Sequence, residues 1–345
     1  MKSDIIYIII QNLNIGGAER SALYLYESLN KAGYDVRLLE TDKLCSPQIG
    51  ASTMKKAINR IRKVICLRSA LMRNETNTVI SFMYHTSLLT FAATRFLRIQ
   101  TICCERSNPF KSKRGVLLNF LTKIIYQRSD FVVVQTDILK DHLYERWNVN
   151  NIRVIPNFAP EVKNVRIKKK EQVKKIICVS RLVPSKNVNL IIQALKRVLS
   201  KNIRLVIYGN GPEHSKLENQ IENLNLQEFI TIITHESKIE AMYGDADIFV
   251  SLSEVEGFPN VLLEAFAFGV PIISYNCDYG PSEILENGLL GLLLTTLELE
   301  EIEEKISNLI YDTERRYNYS AGGLLKIKKD YTSNKILKKW QNLLN

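Results

Sequence analysis

Residues 251–275 read SLSEVEGFPNVLLEAFAFGVPIISY: the end of an apolar strand, a polar loop, a short helix, a stop and a second apolar strand. The run 247–252 has the length and apolar content of a buried strand. A loop follows over 253–258, and Pro259 suits the first turn of a helix, where its missing N–H costs nothing. Val261, Leu262, Ala265 and Phe266 carry that helix, Gly269 stops it, and Pro271 opens the next strand.

Two carboxylates sit in this unit, Glu256 in the loop and Glu264 one and a half turns into the helix. At a rise of roughly 1.5 Å per residue they lie on the order of 10 Å apart along one edge. That is too far for an acid–base pair around one bond; it suits two ends of a long ligand, such as the sugar and the ribose of a nucleotide sugar. The free N–H groups of the helix N-terminus lie between them and favour negative charge. Taken alone, such a pair is more commonly a loop surface residue and a partly exposed helix residue. The loop Glu256-Gly257-Phe258-Pro259-Asn260 changes that balance. With it, Glu256-x7-Glu264 resembles the signature of retaining GT-B glycosyltransferases of family 4. The resemblance implies that Glu256 faces the donor sugar and Glu264 the ribose hydroxyls, with Gly257, Phe258, Pro259 and Asn260 lining the donor site.

Working outward, 345 residues at 46% hydrophobic content can bury two ordinary cores. No segment approaches the ~18 uninterrupted apolar residues of a membrane-spanning helix. The opening MKSDIIYIIIQN reads as a first strand rather than a signal peptide. Cys45, Cys66, Cys103, Cys104, Cys178 and Cys277 show no metal-ligand spacing and read as reduced, mostly buried thiols of a cytoplasmic protein. The formal net charge of +11 is uneven: residues 1–160 hold 23 Lys/Arg against 12 Asp/Glu, whereas residues 161–345 hold 24 of each. The N-terminal half is therefore expected to face an anionic partner.

That half alternates strands, near 5–10, 34–39, 78–82, 99–104, 130–135 and 152–155, with helices, the pattern of a parallel sheet covered on both faces. Ligands of such sheets bind at the carboxyl ends of strands. Gly16-Gly17 falls there, where a backbone without Cβ can approach a phosphate; a tight turn explains a lone Gly-Gly equally well. The full string GGAER resembles the first loop of many family 4 enzymes, which puts Gly16 and Gly17 on the donor side and Glu19 on the acceptor side. Residues 54–73 form a basic amphipathic helix, with Met54, Ile58, Ile61, Val64, Ile65 and Leu71 near helical spacing. Its seven cations, Lys55, Lys56, Arg60, Arg62, Lys63, Arg68 and Arg73, have no acid among them. Such helices lie on anionic membranes, although a helix packed on the sheet with a solvated basic face accounts for the pattern too. Nucleic acid is disfavoured, because no aromatic platform accompanies the charge. His85, in the loop after the third strand, and Arg106, in Glu105-Arg106-Ser107-Asn108, are acceptor-side candidates. Relatives often carry His where Glu105-Arg106 falls, and Arg106 is the substitute.

The polar stretch 161–175 reads as a linker. A second series of strands follows near 176–180, 203–207, 229–233, 246–252, 271–275 and 289–294. Arg181 and Lys186 in the first loop of that series can hold a diphosphate, Arg by its fork and Lys as a point charge. In this context the loop is similar to the family's phosphate loop, and Gly209 and Gly211 match its glycine turn near the nucleotide. Asp245-Ala246-Asp247 has the form of a metal-binding DxD but bridges a helix end and a buried strand, so a boundary role and no metal are expected.

The resemblance implies an α/β GT-B fold of two facing Rossmann-like domains with a central cleft. The expected parts are residues 1–160 on the acceptor side, a linker 161–175, a nucleotide-sugar domain 176–311, and a helical segment 312–345 crossing back. It further implies retaining transfer of a sugar, UDP-linked, to a glycan hydroxyl on a polyprenyl diphosphate lipid, in surface polysaccharide synthesis. Glu256, Arg181 and Lys186 carry the catalysis, and no cofactor or metal is needed. The expected location is cytoplasmic, peripheral on the inner face of the cell membrane. The alternative enzyme class is a UDP-sugar 2-epimerase on the same fold; it needs acid–base groups near C2 of the sugar, and no convincing set is visible. A non-catalytic scaffold would have no use for Arg181, Lys186 and Glu256.

Overall fold

The computed structural model describes residues 4–14, 16–44, 53–112, 114–162, 165, 172–198, 203–236 and 238–344, with the backbone alone for 53–57. Residues Met1–Phe158 and Ser333–Asn345 form one unit and Ala159–Thr332 a second.

The first unit is built from β1 (Ile5–Ile10), α1 (Gly17–Lys31), β2 (Asp35–Glu40), α2 (Thr53–Arg73), β3 (Thr76–Phe82) and α3 (Tyr84–Thr94). It continues through β4 (Gln100–Cys104), α4 (Val116–Arg128), β5 (Phe131–Val134), α5 (Asp137–Trp147) and β6 (Ile152–Val154). Its strands are parallel and ordered β2-β1-β3-β4-β5-β6. Successive strand side chains point to opposite faces, which explains why β1 is apolar throughout. Ile6, Ile8 and Ile10 pack with Ala22, Leu25 and Leu29 of α1, while Tyr7 and Ile9 pack with Leu67 and Leu71 of α2. The last helix of the chain, called α13 below (Ser333–Leu344), adds Ile336, Trp340 and Leu343 to the α1 side.

The second unit runs β7 (Lys175–Val179), α6 (Val188–Val198), β8 (Arg204–Tyr208), α7 (His214–Asn223), β9 (Ile230–Ile233), α8 (Ile239–Tyr243) and β10 (Ile248–Ser251). It is completed by α9 (Asn260–Ala267), β11 (Ile272–Tyr275), α10 (Pro281–Ile284), β12 (Leu292–Leu294), α11 (Leu299–Tyr311) and α12 (Thr313–Lys326). The parallel order is β12-β11-β10-β7-β8-β9. Both sheets reverse direction of growth beside their first strand, between β1 and β3 and between β7 and β10. In open α/β sheets such switch points leave a crevice at the carboxyl ends of the strands, where ligands bind.

The alternation expected from sequence is present in both halves, with strand ends shifted by a residue or two; the last strand is shorter, Leu292–Leu294 rather than 289–294. The chain leaves the second unit later than position 312. Helix α12 stays there because Gly323 lies under the Phe266 ring of α9, where an added Cβ would come within 2.3 Å of Cδ1. The expected linker 161–175 falls mostly outside the described residues. Pro259 is the N-cap of α9, in extended conformation, rather than a residue of its first turn. Gly269, with φ +68°, does end that helix. The DxD-like acids serve a boundary: Asp247 accepts the backbone N–H groups of Lys174 and Lys175, and Asp245 pairs with Lys175 at 2.7 Å.

Helix α2 differs from its sequence reading. Its apolar residues do not share one edge: Leu67 and Leu71 are buried, whereas Ile58, Ile61, Ile65 and Met72 are exposed. Two of its cations are engaged, Lys63 with Asp42 at 2.8 Å and Arg68 with the Ala93 and Arg95 carbonyls. The side chains of Met54, Lys55 and Lys56 lie outside the described residues.

Candidate active site

The loops after β7 and β10 meet at the switch point of the second sheet. Residues 180–187 leave β7, make a single 3-10 turn at Pro184–Lys186 and reach Asn187, which adopts the left-handed conformation at φ 51°. Asparagine tolerates that region better than other residues with a Cβ. The turn aims the Asn187 amide at the neighbouring loop, where it donates to the Leu252 carbonyl at 3.1 Å and to Glu254 Oε1 at 3.0 Å. The Glu254 N–H in turn donates to the Ser185 carbonyl. These bonds stitch the two loops together and bring Lys186 Nζ to 2.5 Å from Glu256 Oε1. Both side chains are largely withdrawn from solvent, with 13% and 18% exposed. Arg181, by contrast, is exposed, its carbonyl accepting from the Val183 N–H while its guanidinium makes no hydrogen bond or ion pair among the described residues.

Behind this loop lies the 209–211 turn. The Leu182 N–H donates to the Asn210 carbonyl and the Glu213 N–H to the Leu182 carbonyl. An added Cβ on Gly209 would stand 1.8 Å from the Ser180 carbonyl oxygen, and one on Gly211 2.3 Å from that of Leu182. Both glycines therefore have a packing reason to be glycine: they let the turn lie flat against the loop that carries Arg181 and Lys186.

After Glu256 the chain is buried at Gly257, Phe258 and Pro259. The Phe258 ring lies 6.0 Å from that of Tyr331. Pro259 packs against Gly280, where φ is +99° and an added Cβ would stand 2.3 Å from the proline Cδ. Asn260 opens α9, whose first N–H groups have no partner within the helix. Glu264 is buried rather than partly exposed, and its Oε2 accepts from the Tyr243 hydroxyl at 2.9 Å. Tyr243 is held by stacking on Phe268. Such a carboxylate is oriented before any ligand arrives.

In the first unit the corresponding loops follow β1, β3 and β4. Gly16 is the extended N-cap of α1, and the space beside it is filled: an added Cβ would stand 2.3 Å from Glu19 Oε2. The Glu19 carboxylate lies over the helix N-terminus, so the open approach to Gly16 and Gly17 expected for a phosphate is occupied by an acid of the chain itself. His85 sits exposed in the first turn of α3, its ring 3.8 Å from that of Tyr84. The surrounding protein and the Arg114 charge hold its imidazole below the usual value. The Arg106 guanidinium lies over the Phe82 ring and donates to Asn157 Oδ1, and its buried Nε has no hydrogen-bond partner among the described residues.

Sequence reasoning missed the neighbour that organises this loop. Glu105 is fully buried, pairs with Arg114 at 2.7 Å, and accepts from the Tyr126 hydroxyl and from the N–H groups of Arg106 and Ser107. Arg114 also donates to Ser107 Oγ and lies over the Tyr84 ring at 4.1 Å. An acid directly after a fully buried strand was the available signal, since a buried charge needs a partner.

Two family profiles match the chain: Glycosyltransferase Family 4 over residues 15–161 and Glycosyl transferases group 1 over residues 161–324. The chain belongs to the GT-B glycosyltransferases of the family 4 type. Among family 4 relatives, it is 26% identical to the amylovoran biosynthesis glycosyltransferase AmsD of Erwinia amylovora, over 96% of this chain and 97% of the relative. It is 27% identical, over 98% of each chain, to a Campylobacter jejuni enzyme. That enzyme is named GalNAc-alpha-(1->4)-GalNAc-alpha-(1->3)-diNAcBac-PP-undecaprenol alpha-1,4-N-acetyl-D-galactosaminyltransferase. The crystal structure of Anabaena Alr3699/HepE in complex with UDP superposes with a TM-score of 0.79 over 99% of both chains at 16% identity. The S. aureus TarM structure superposes with a TM-score of 0.70 at 22% identity, and the chain covers 59% of its length. The family profiles give the chemistry as glycosyl transfer, and the superpositions give the fold as GT-B.

Proposed function

We propose that this family 4 enzyme transfers a sugar from a UDP-sugar to a hydroxyl of a glycan carried on a polyprenyl diphosphate lipid. In this reading the anomeric configuration is retained and the reaction takes place at the inner face of the cell membrane. The observation that carries the reading is the stitched pair of loops at the β7/β10 switch point. It sets a cation, Lys186, and a carboxylate, Glu256, side by side at the N-terminal end of α9, with the exposed Arg181 on the same loop as Lys186. Two cations and a helix N-terminus stabilise a departing diphosphate electrostatically. Glu256 accepts from hydroxyls of the donor sugar, and the preset Glu264 from those of the ribose. The bond between the anomeric carbon and the diphosphate oxygen breaks as the acceptor oxygen bonds the same face of that carbon. The acceptor proton passes to the leaving phosphate oxygen, so no covalent glycosyl–enzyme forms. The UDP bound by the Anabaena neighbour and the undecaprenyl diphosphate glycan in the name of the Campylobacter relative support the donor and the acceptor class.

The test is a panel of UDP-sugars incubated with lipid-linked acceptors, the anomeric linkage of the product being read by NMR. A product of inverted configuration, or epimerised nucleotide sugar without transfer, refutes the reading. Turnover should persist in excess EDTA, because Arg181 and Lys186 supply the charge; full loss restored by Mg²⁺ or Mn²⁺ refutes the metal-independent part.

A further inference from the structure

The turn between β3 and α3 holds a backbone conformation that glycine alone adopts with ease. Met83 stands at φ 76° and ψ 150°, where a residue with a Cβ is strained. Such strain persists only where the surroundings impose it, and it gathers at ligand sites. Here four hydrogen bonds impose it. The Met83 N–H donates to the Cys104 carbonyl, and the Met83 carbonyl accepts from the Ser87 N–H and from the Thr86 and Ser87 hydroxyls. The next two residues, Tyr84 and His85, open α3 at the carboxyl end of β3, beside the switch point between β1 and β3. Crevices at such points take ligands, yet the transfer chemistry described above makes no use of this pair.

Tyr84 is half-buried and lies between two flat groups. The Arg114 guanidinium carbon is 4.1 Å from its ring centroid and the His85 ring centroid 3.8 Å. Two groups so close to one centroid cannot share a face of the ring, so they cover opposite faces in the order Arg114, Tyr84, His85. The inner end is fixed. The Arg114 side chain is 1% exposed, pairs with the buried Glu105 at 2.7 Å and donates to Ser107 Oγ. The outer end, His85, is exposed. Burial and the Arg114 charge hold its imidazole below the usual value, against the opposing pull of Glu105, so the ring is uncharged at neutral pH.

Shape and charge together name the occupant. A pyranose presents a face of C–H groups whose slight positive charge meets the negative face of an aromatic ring, while its hydroxyls stay at the rim. A phosphate would find the cation of the stack already committed to Glu105 on the far side of Tyr84. The uracil of a donor would stack as well, but Arg181, Lys186 and Glu264, the groups suited to a nucleotide, all belong to the second unit. We infer that His85, backed by Tyr84 and Arg114, is the stacking platform for an uncharged pyranose ring of the acceptor glycan. That this sugar is the acceptor rests on the proposed transferase reading; the stacking itself does not.

The experiment reads binding and turnover separately. For binding, protein carrying isotope-labelled histidine is titrated with methyl glycosides of glucose, galactose, N-acetylglucosamine, N-acetylgalactosamine and glucuronic acid. The chain has four histidines, and the His85 resonance, identified by its loss in His85→Phe, should be the one that moves, with at least one uncharged glycoside. For turnover, KM for a glycan acceptor should rise about fivefold to tenfold in His85→Leu, with UDP affinity and the melting curve unchanged. His85→Phe restores a flat ring and should bring KM back toward wild type, a distinction that a merely structural role would not make. The inference is overturned if His85 responds to no uncharged glycoside, if the glucuronide moves it more than every uncharged one, or if His85→Phe is as impaired as His85→Leu. It is equally overturned if His85→Leu loses UDP affinity along with acceptor affinity, which would make the stack a nucleobase site. A wild type whose His85 responds to an uncharged glycoside but that transfers no sugar would refute the transferase reading and leave the platform standing. Transfer with an unaltered acceptor KM in His85→Leu would do the opposite.

Discussion

Replacing Glu256 by glutamine should tighten UDP binding while slowing transfer. Lys186 Nζ is committed to the Glu256 carboxylate at 2.5 Å, and both groups are largely withdrawn from water. A diphosphate that takes Lys186 must share it with a like charge. At a separation of ~6 Å and an effective dielectric constant of ~40, one phosphate charge and one carboxylate repel by about 1.4 kcal/mol, or about tenfold in affinity. Glutamine keeps the shape and removes that term, so UDP should bind up to about tenfold more tightly. Transfer should fall, because the neutral amide accepts less strongly from a sugar hydroxyl. Lys186→Met should do the reverse to binding, losing a charge-assisted bond of about 1.5–3 kcal/mol, and the double variant should be non-additive because the groups touch. Calorimetric titration with UDP and single-turnover transfer read the two effects separately. If Glu256→Gln loses UDP affinity as Lys186→Met does, Glu256 supports the nucleotide end of the site and the assignment of the sugar end is wrong.

Glu264→Gln should weaken UDP by about 1–3 kcal/mol in the same titration with little change in melting temperature, since an amide oxygen still accepts from Tyr243; unchanged affinity removes Glu264 from the ribose site. Gly209→Ala should cost about 1–3 kcal/mol in denaturant unfolding and weaken UDP binding, because the new Cβ displaces Ser180 at the root of the Arg181 loop; a neutral substitution would mean the turn does not support that loop. At Glu301, burial opposes ionisation, but hydrogen bonds from Thr295 and Thr296 outweigh it and hold the carboxyl down to about 2 from 4.5. The folded value is the lower one, so this stabilisation is present above pH 4.5 and is lost as pH falls toward 2. Glu301→Gln should therefore cost about 1 kcal/mol at neutral pH, after discounting for solvent screening. Its deficit against wild type in urea titrations should shrink over that acid window; a deficit independent of pH would refute the cause.

The strand–helix alternation was legible because it rests on local periodicity and on glycine and proline stops, as at Gly269. The motif EGFPNVLLE was legible because its two acids lie on one continuous loop and helix. What lay beyond reach was pairing across the fold. Lys186 and Glu256 are 70 positions apart, and nothing in either local pattern says that Asn187 will stitch their loops together. The two glycines of the 209–211 turn looked like ligand contacts, yet their neighbours are the backbone of Ser180 and Leu182. Helix α2 misled for a related reason: its apolar residues fall at helical spacing, but a single wheel does not say which of two apolar edges the sheet covers. Burial of Leu67 and Leu71 leaves Ile61 and Ile65 outside.

Helix α13 has a consequence for how the protein is made. Trp340 and Ile336 complete the core between α1 and the first sheet, yet the ribosome reaches them only after it has produced the whole of residues 159–332. During synthesis the first unit must wait with Leu25, Leu29 and Ile8 facing an empty groove, while the second, contiguous unit already has everything it needs. The half that begins the chain is thus the half that finishes folding last, and chaperone dependence should concentrate on it.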